Sequence, residues 1–187
     1  MILAAGASIR MGRPKALIEW QGRPFFVHCI ERAEAAGCTS IAVVWGATRL
    51  PTHSGAVLVE NSAWRDGPLS SLQVGLRAVM SEESTGVLVM TVDRPHVRAD
   101  TLDALLAGHA QHPGALVQPK LHGTSGHPLV YPVGIVGKIL ALPPTDSVRT
   151  VLHAPDVRSR RVRVAVDDPA VLDNLDTPEA LERLPTR

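Results

Sequence analysis

Apolar residues in this chain follow two rhythms that alternate. Apolar runs of strand length occupy residues 41–45, 56–59 and 87–92, and another, interleaved with Arg161 and Arg163, lies at 161–166. Runs uninterrupted by polar positions suit parallel strands covered on both faces. Between them the spacing becomes helical. Pro24 opens one helix and Gly37 follows its end, with Phe26, Ile30 and Ala33 on one face. Leu69, Leu72, Leu76 and Val79 recur at three and four residues in a second helix. Leu102, Leu105 and Leu106 mark a third after Asp100. Thr177 caps a last short helix that starts at Pro178. This alternation predicts an α/β fold, a three-layer, Rossmann-like, doubly wound and mostly parallel sheet. Residues 114–131 break the rhythm. Segments 115–118 and 129–131 predict a small β-ribbon beside the main sheet. In such sheets ligands bind beyond the carboxyl ends of the strands, near a topological switch.

Length and composition narrow the picture. A chain of 187 residues suffices for a single domain, 1–187, with a substantial core. At 45% hydrophobic and 20% charged, it has a globular composition. A net charge of +1 gives no bulk attraction to nucleic acid or membrane, and no apolar run approaches a membrane span. The N-terminus lacks the basic-then-apolar pattern of a signal peptide, so a cytoplasmic location is expected. Cys29 and Cys38 match no zinc or redox spacing and read as buried thiols, with a bridge left open. Arg158, Arg160, Arg161 and Arg163 precede or alternate with Val162, Val164 and Val166, the pattern of a strand with a solvated face. The first strand has almost no lead-in and should be short.

Candidate chemistry concentrates in the first fifteen residues. A short apolar strand runs into a loop of small residues carrying Arg10, Arg13 and Lys15. Small residues let backbone N–H groups approach a ligand closely, and the cations favour an anion, such as nucleotide phosphates. A Walker loop does not fit, because Gly6 and Gly12 are separated by five residues, not four, and Lys15 follows three positions later. A dinucleotide fingerprint, G-x-G-x-x-G, does not fit either, since only Gly6 and Gly12 are present. What the segment resembles is L-A-A-G-x-S-x-R-M-G-x-x-K, the signature of the MobA-like nucleotidyltransferases, in particular their molybdenum cofactor cytidylyltransferase branch. Leu3, Ala4, Ala5, Gly6, Ser8, Arg10, Met11, Gly12 and Lys15 all match.

The resemblance implies a nucleotide-diphospho-sugar transferase type of fold and extends along the chain. Asp93-Arg94-Pro95 is similar to the family's Asp-x-Pro, which implies Asp93 as a Mg²⁺ ligand; many cytidylyltransferase-like relatives carry Gln at the Arg94 position. Residues 173–179 resemble its Asp-Ile-Asp-Thr-Pro-Glu-Asp segment, which implies Asp176 as the second ligand, although Asp176-Thr177-Pro178 is also a sound helix start. Asn61, Trp64, Gly67, Ser70 and Leu72 fall near the family's Asn-x-x-Trp-x-x-Gly-Met-Ser-x-Ser-Leu, with Pro68 in place of Met. Asn61, Gly67, Ser70 and Ser71 are therefore expected to line the base and ribose. Gly126-His127-Pro128 matches an acceptor-side element of the cytidylyltransferase-like branch. It implies that His127 meets the acceptor, with Arg149 a further acceptor contact from a loop that lacks the family's glycines.

Together these imply a Mg²⁺-dependent nucleotidyltransferase in which Arg10, Lys15 and Asp93 carry catalysis. Its donor is a nucleoside triphosphate and its acceptor a phosphorylated small molecule such as molybdopterin. A molybdoenzyme or maturation protein is the implied partner. Ala5, where the guanylyltransferase branch tends to have Gly, places a methyl near the base and favours CTP. The alternatives are GTP or ATP as donor and a sugar or alditol phosphate as acceptor. From other classes come an oxidoreductase and a non-catalytic nucleotide-binding protein on the same scaffold.

Overall fold

A computed structural model describes residues 1–143 and 145–184. The chain runs β1 (Ile2–Leu3), the hairpin β2 (Glu19–Trp20) and β3 (Arg23–Pro24), α1 (Phe25–Ala35), β4 (Ala42–Trp45), β5 (Val57–Glu60) and α2 (Pro68–Val79). It continues through β6 (Gly86–Thr91), α3 (Ala99–Gln111), β7 (Leu116–Leu121), β8 (Thr124–Ser125), β9 (Leu129–Pro132) and α4 (Val133–Leu140). Two five-residue helices, α5 (Val148–Leu152) and α6 (Pro155–Ser159), lead to β10 (Arg161–Ala165). Short 3-10 turns at Pro169–Val171 and Pro178–Arg183 follow. The helix expected at Pro178 is thus a 3-10 turn, with the Thr177 hydroxyl accepting from the Ala180 N–H as anticipated.

The main sheet has the order β10-β7-β9-β6-β1-β4-β5, with β8 paired to β7. β9 runs antiparallel to both β6 and β7, and the remaining contacts along this path are parallel. Adjacent strand residues face opposite ways, so each strand feeds two cores. Val43, Leu88, Met90, Val117 and Val130 pack with Phe25, Phe26 and Ile30 of α1 and Leu102 and Leu105 of α3. Val44, Val87, Val89, Leu116, Leu129 and Tyr131 pack with Leu69, Leu72 and Leu76 of α2 and Ile135 and Ile139 of α4. The result is the expected three layers.

One placement differs. The segments expected to form a ribbon beside the sheet are β7 and β9, inside it. Leu116, Val117, Leu129, Val130 and Tyr131 are all buried. Strands apolar on both faces must be covered on both, which the sheet interior provides. The outlying ribbon is the short β7–β8 return. Both cysteines are free thiols, Cys29 buried and Cys38 half-buried. Among the described residues no helix is long and apolar enough to cross a membrane.

Candidate functional site

β1 leads directly into the loop. Its ladder with β4 continues as the Ala4 N–H donates to the Val44 carbonyl and the Ala47 N–H to the Ala5 carbonyl. The chain then leaves the sheet. Ser8 takes a left-handed conformation (φ 54°) and its hydroxyl accepts from the Lys15 N–H at 3.0 Å. That bond closes the loop and returns Lys15 to the strand end. Met11 and Ala16, both buried, pin the loop to the core. Gly6 and Ala7 donate no hydrogen bond to the described residues, leaving their N–H groups free for an anion.

β6 ends beside this loop, and Asp93 follows it. Leu3, Ala4, Gly6, Ser8, Lys15, Thr91, Val92 and Asp93 line an open cleft of about 360 Å³. Ala5 is not among them. Its methyl is buried in the apolar layer beneath, with Leu69 and Leu72.

The C-terminal segment brings Asp176 to the same place. The Leu175 N–H donates to the Asp93 carbonyl at 3.3 Å, which joins the two acid-bearing segments. His96 Nε2 adds a second tie to Asp173 Oδ2 at 2.9 Å. Asp176 is engaged on every side: Arg10 Nη2 lies 2.6 Å from Oδ2, Lys15 Nζ pairs with Oδ1, and the Asn174 amide donates to Oδ2 at 2.5 Å. Asp93 is paired with Arg94 at 3.0 Å, and Arg94 also donates to the Thr91 hydroxyl at 2.8 Å.

Burial alone would raise the Asp176 carboxyl, but Lys15, Arg10 and Asn174 overcome it and hold the group below its ordinary range. The unfolded chain therefore takes up this proton first, so the pairing stabilises the fold above the ordinary carboxylate range and is lost as pH falls below it. The thermal midpoint difference between the wild type and Asp176→Asn should accordingly shrink between about pH 5 and pH 2. A constant difference would show that the pairing contributes nothing.

Asn61, Ser70 and Ser71 are all buried and bonded to one another. The Asn61 amide donates to both hydroxyls at 2.9 Å, and Asn61 Oδ1 accepts from the Ala63 N–H. The Ser70 hydroxyl donates to the Gly67 carbonyl at 2.8 Å. These groups shape the loop before α2, with the Ser70 hydroxyl donating within the loop and the Ser71 hydroxyl accepting from Asn61. Gly67 adopts φ 117°, ψ 179°, which a side chain would strain. Trp64 lies over Gly46, and the Arg65 guanidinium sits 4.3 Å from the Trp64 ring.

His127 is half-buried on the other side of Asp93. Burial, reinforced by Arg94 and opposed by Asp93, lowers its pKa, which favours the neutral ring. A Cβ on Gly126 would lie 2.3 Å from the Val171 carbonyl, so the glycine is required by close packing as well as by any ligand. Arg149 is exposed on α5 and is not among the cleft-lining residues; its backbone N–H donates to the Ser147 hydroxyl and its carbonyl accepts from the His153 N–H. Of the expected site, the structure brings together Leu3, Ala4, Gly6, Ser8, Arg10, Lys15, Asp93 and Asp176. Sequence reasoning missed the pairing of Arg94 with Asp93 and the His96–Asp173 tie.

Two carboxylates on joined segments form a hard-oxygen donor set that fits Mg²⁺. Among the described residues no group of three His, Cys, Asp or Glu stands ready for a metal. Phosphate oxygens and water would complete the shell, the usual arrangement for Mg²⁺ with nucleotides.

Comparison with known proteins bears on the family and the fold. The family profile described as MobA-like NTP transferase domain matches residues 1–164. The molybdenum cofactor guanylyltransferase of Xanthomonas euvesicatoria pv. vesicatoria is 27% identical over 98% of this chain and 92% of its own length. The molybdenum cofactor cytidylyltransferase of Escherichia coli K12 is 24% identical over 96% and 91%. Among solved structures, Rv0371c of Mycobacterium tuberculosis H37Rv superposes with a TM-score of 0.76 at 25% identity, covering 98% of this chain and 95% of that one. A further structure of Rv0371c is a complex with manganese, with a TM-score of 0.71 at 24% identity, covering 98% and 95%.

Proposed function

The chain belongs to the MobA-like NTP transferase family, and from that premise we propose that it transfers CMP from CTP to a phosphorylated acceptor, the molybdopterin cofactor, releasing pyrophosphate. It does so as one domain over residues 1–187, in the cytoplasm, and hands its product to a molybdoenzyme or maturation partner. The observation that carries this reading is the convergence of Lys15 and Arg10 on the Asp176 carboxylate beside the Asp93 turn. Cations that hold one anion there are placed to hold phosphates.

In the reaction, Lys15 and Arg10 hold the triphosphate and steady the departing pyrophosphate. Ser8 holds Lys15 in place through its backbone, and Gly6 allows close approach. Asp93 and Asp176 are the residues that would hold Mg²⁺, which when bound supplies charge neutralisation and polarises the phosphoryl oxygens. An acceptor phosphate oxygen attacks the α-phosphorus and the bond to pyrophosphate breaks. That oxygen is already anionic, so no strong general base is needed, and alignment and charge stabilisation dominate. A neutral His127 beside Arg94 suits contact with the acceptor without adding a proton to the exchange.

The cytidine preference rests on Ala5, where the guanylyltransferase branch tends to have Gly, and on the Gly126-His127-Pro128 element. GTP is the second reading, favoured by full-length relatives named guanylyltransferases. The test is pyrophosphate release with Mg²⁺, molybdopterin and CTP, GTP or ATP in turn. Release with CTP is expected, and release with GTP alone reassigns the donor. Absence of release with any of them, together with tight NAD(P)H binding, overturns the transferase reading. Asp93→Ala should lower turnover by at least about 10³-fold. Unchanged activity would remove Asp93 from the metal site.

A further inference from the structure

Each candidate metal carboxylate is already occupied by a cation of the chain itself. Asp93 is held by Arg94, and both oxygens of Asp176 are held by the residues placed to bind phosphate, Lys15 and Arg10. Two oxygens of one anion, spaced across an ammonium and a guanidinium, have the contacts that two phosphate oxygens would have. The Lys15–Asp176 pair is well shielded, with side chains 17% and 14% exposed. Water therefore screens it less than a surface pair.

We propose that Asp176 is a discriminating residue, which makes the site select the metal-complexed triphosphate and reject the free one. This rests on the nucleotidyl-transfer reading and deepens it. A free triphosphate arriving alone must take Lys15 and Arg10 from Asp176. It then leaves that carboxylate with no cationic partner, held only by the Asn174 amide, beside its own negative charge. A triphosphate arriving with a divalent cation gives the carboxylate a replacement partner, so both sides of the exchange stay paired. Arg94 offers no equivalent barrier to the phosphates, because its partner is Asp93 and neither Lys15 nor Arg10 is tied to it.

The test is binding of inorganic tripolyphosphate in EDTA by calorimetry, which involves neither a base nor turnover. Asp176→Asn should bind metal-free tripolyphosphate about tenfold more tightly than the wild type, within the range typical of coupled sites. Asp93→Asn removes an equal charge nearby but frees neither Lys15 nor Arg10, and its gain should stay below about twofold. Lys15→Met in the Asp176→Asn background should abolish the gain. Asp176→Ser serves as a second variant should the asparagine form fail to fold. The proposal is overturned if the Asp176 variants bind no more tightly than the wild type, or if Asp93→Asn gains as much. Either result is read independently of pyrophosphate release, so it separates this proposal from the transferase reading.

Discussion

Methionine in place of Lys15 should lower kcat/KM for pyrophosphate release by about 10²–10³-fold, the size expected for losing one preorganised charge at a developing anion. The substitution keeps the length and apolar stem of the side chain and removes only the ammonium. Ser8 grips Lys15 through its backbone N–H, so the loop closure survives. The loss should appear mainly in kcat, because charge builds on the leaving pyrophosphate in the transition state. Steady-state kinetics at saturating Mg²⁺ and acceptor separate the two parameters. A variant with full kcat would show that the ammonium does not touch the reacting phosphates.

The second large effect lies away from the cleft. Asp168 is only 2% exposed, yet its carboxylate accepts from the Arg98 N–H at 2.9 Å, the Thr101 hydroxyl at 2.8 Å and the Ala170 N–H at 3.1 Å. It thereby satisfies the start of α3 and the 3-10 turn at Pro169–Val171 with one side chain. Asp168→Ala strands these donors and should cost about 3–5 kcal/mol. For a chain of this size that lowers the thermal midpoint by ~10 °C. Asp168→Asn recovers little, because its amide group presents a donor to other donors. Calorimetric unfolding of both variants checks this, and a loss below about 1 kcal/mol would remove Asp168 from its bridging role.

Strand positions were largely legible in the sequence. β4, β5, β6 and β10 lie within one residue of the apolar runs that announced them; β4 and β6 are central and mostly buried, as continuous apolar runs require, while β5 and β10 are the partly exposed edges. Where β7 and β9 sit was not legible. A continuous apolar run says that both faces are covered, but not which strands flank it. Lys15, Asp93 and Asp176 were legible through a resemblance carried by fixed spacing. Their mutual pairing was not, because Lys15 and Asp176 are 161 residues apart. Asn61, Ser70 and Ser71 show a different limit. Hydroxyls at a helix start read the same whether they face a ligand or a neighbouring side chain, and here both accept from the Asn61 amide.

The tie between the Asp93 turn and the C-terminal segment has a consequence for how the activity can be lost. Val171 and Leu175 are fully buried and Ala170 and Ala180 nearly so, so the segment that delivers Asp176 is also a plug on the apolar layer beneath α1 and α3. Local opening of this one strap, without melting the sheet, would withdraw a carboxylate and uncover apolar surface together. The same molecule would then be inactive and prone to association. In this protein, loss of turnover and loss of solubility should therefore begin with the same fluctuation.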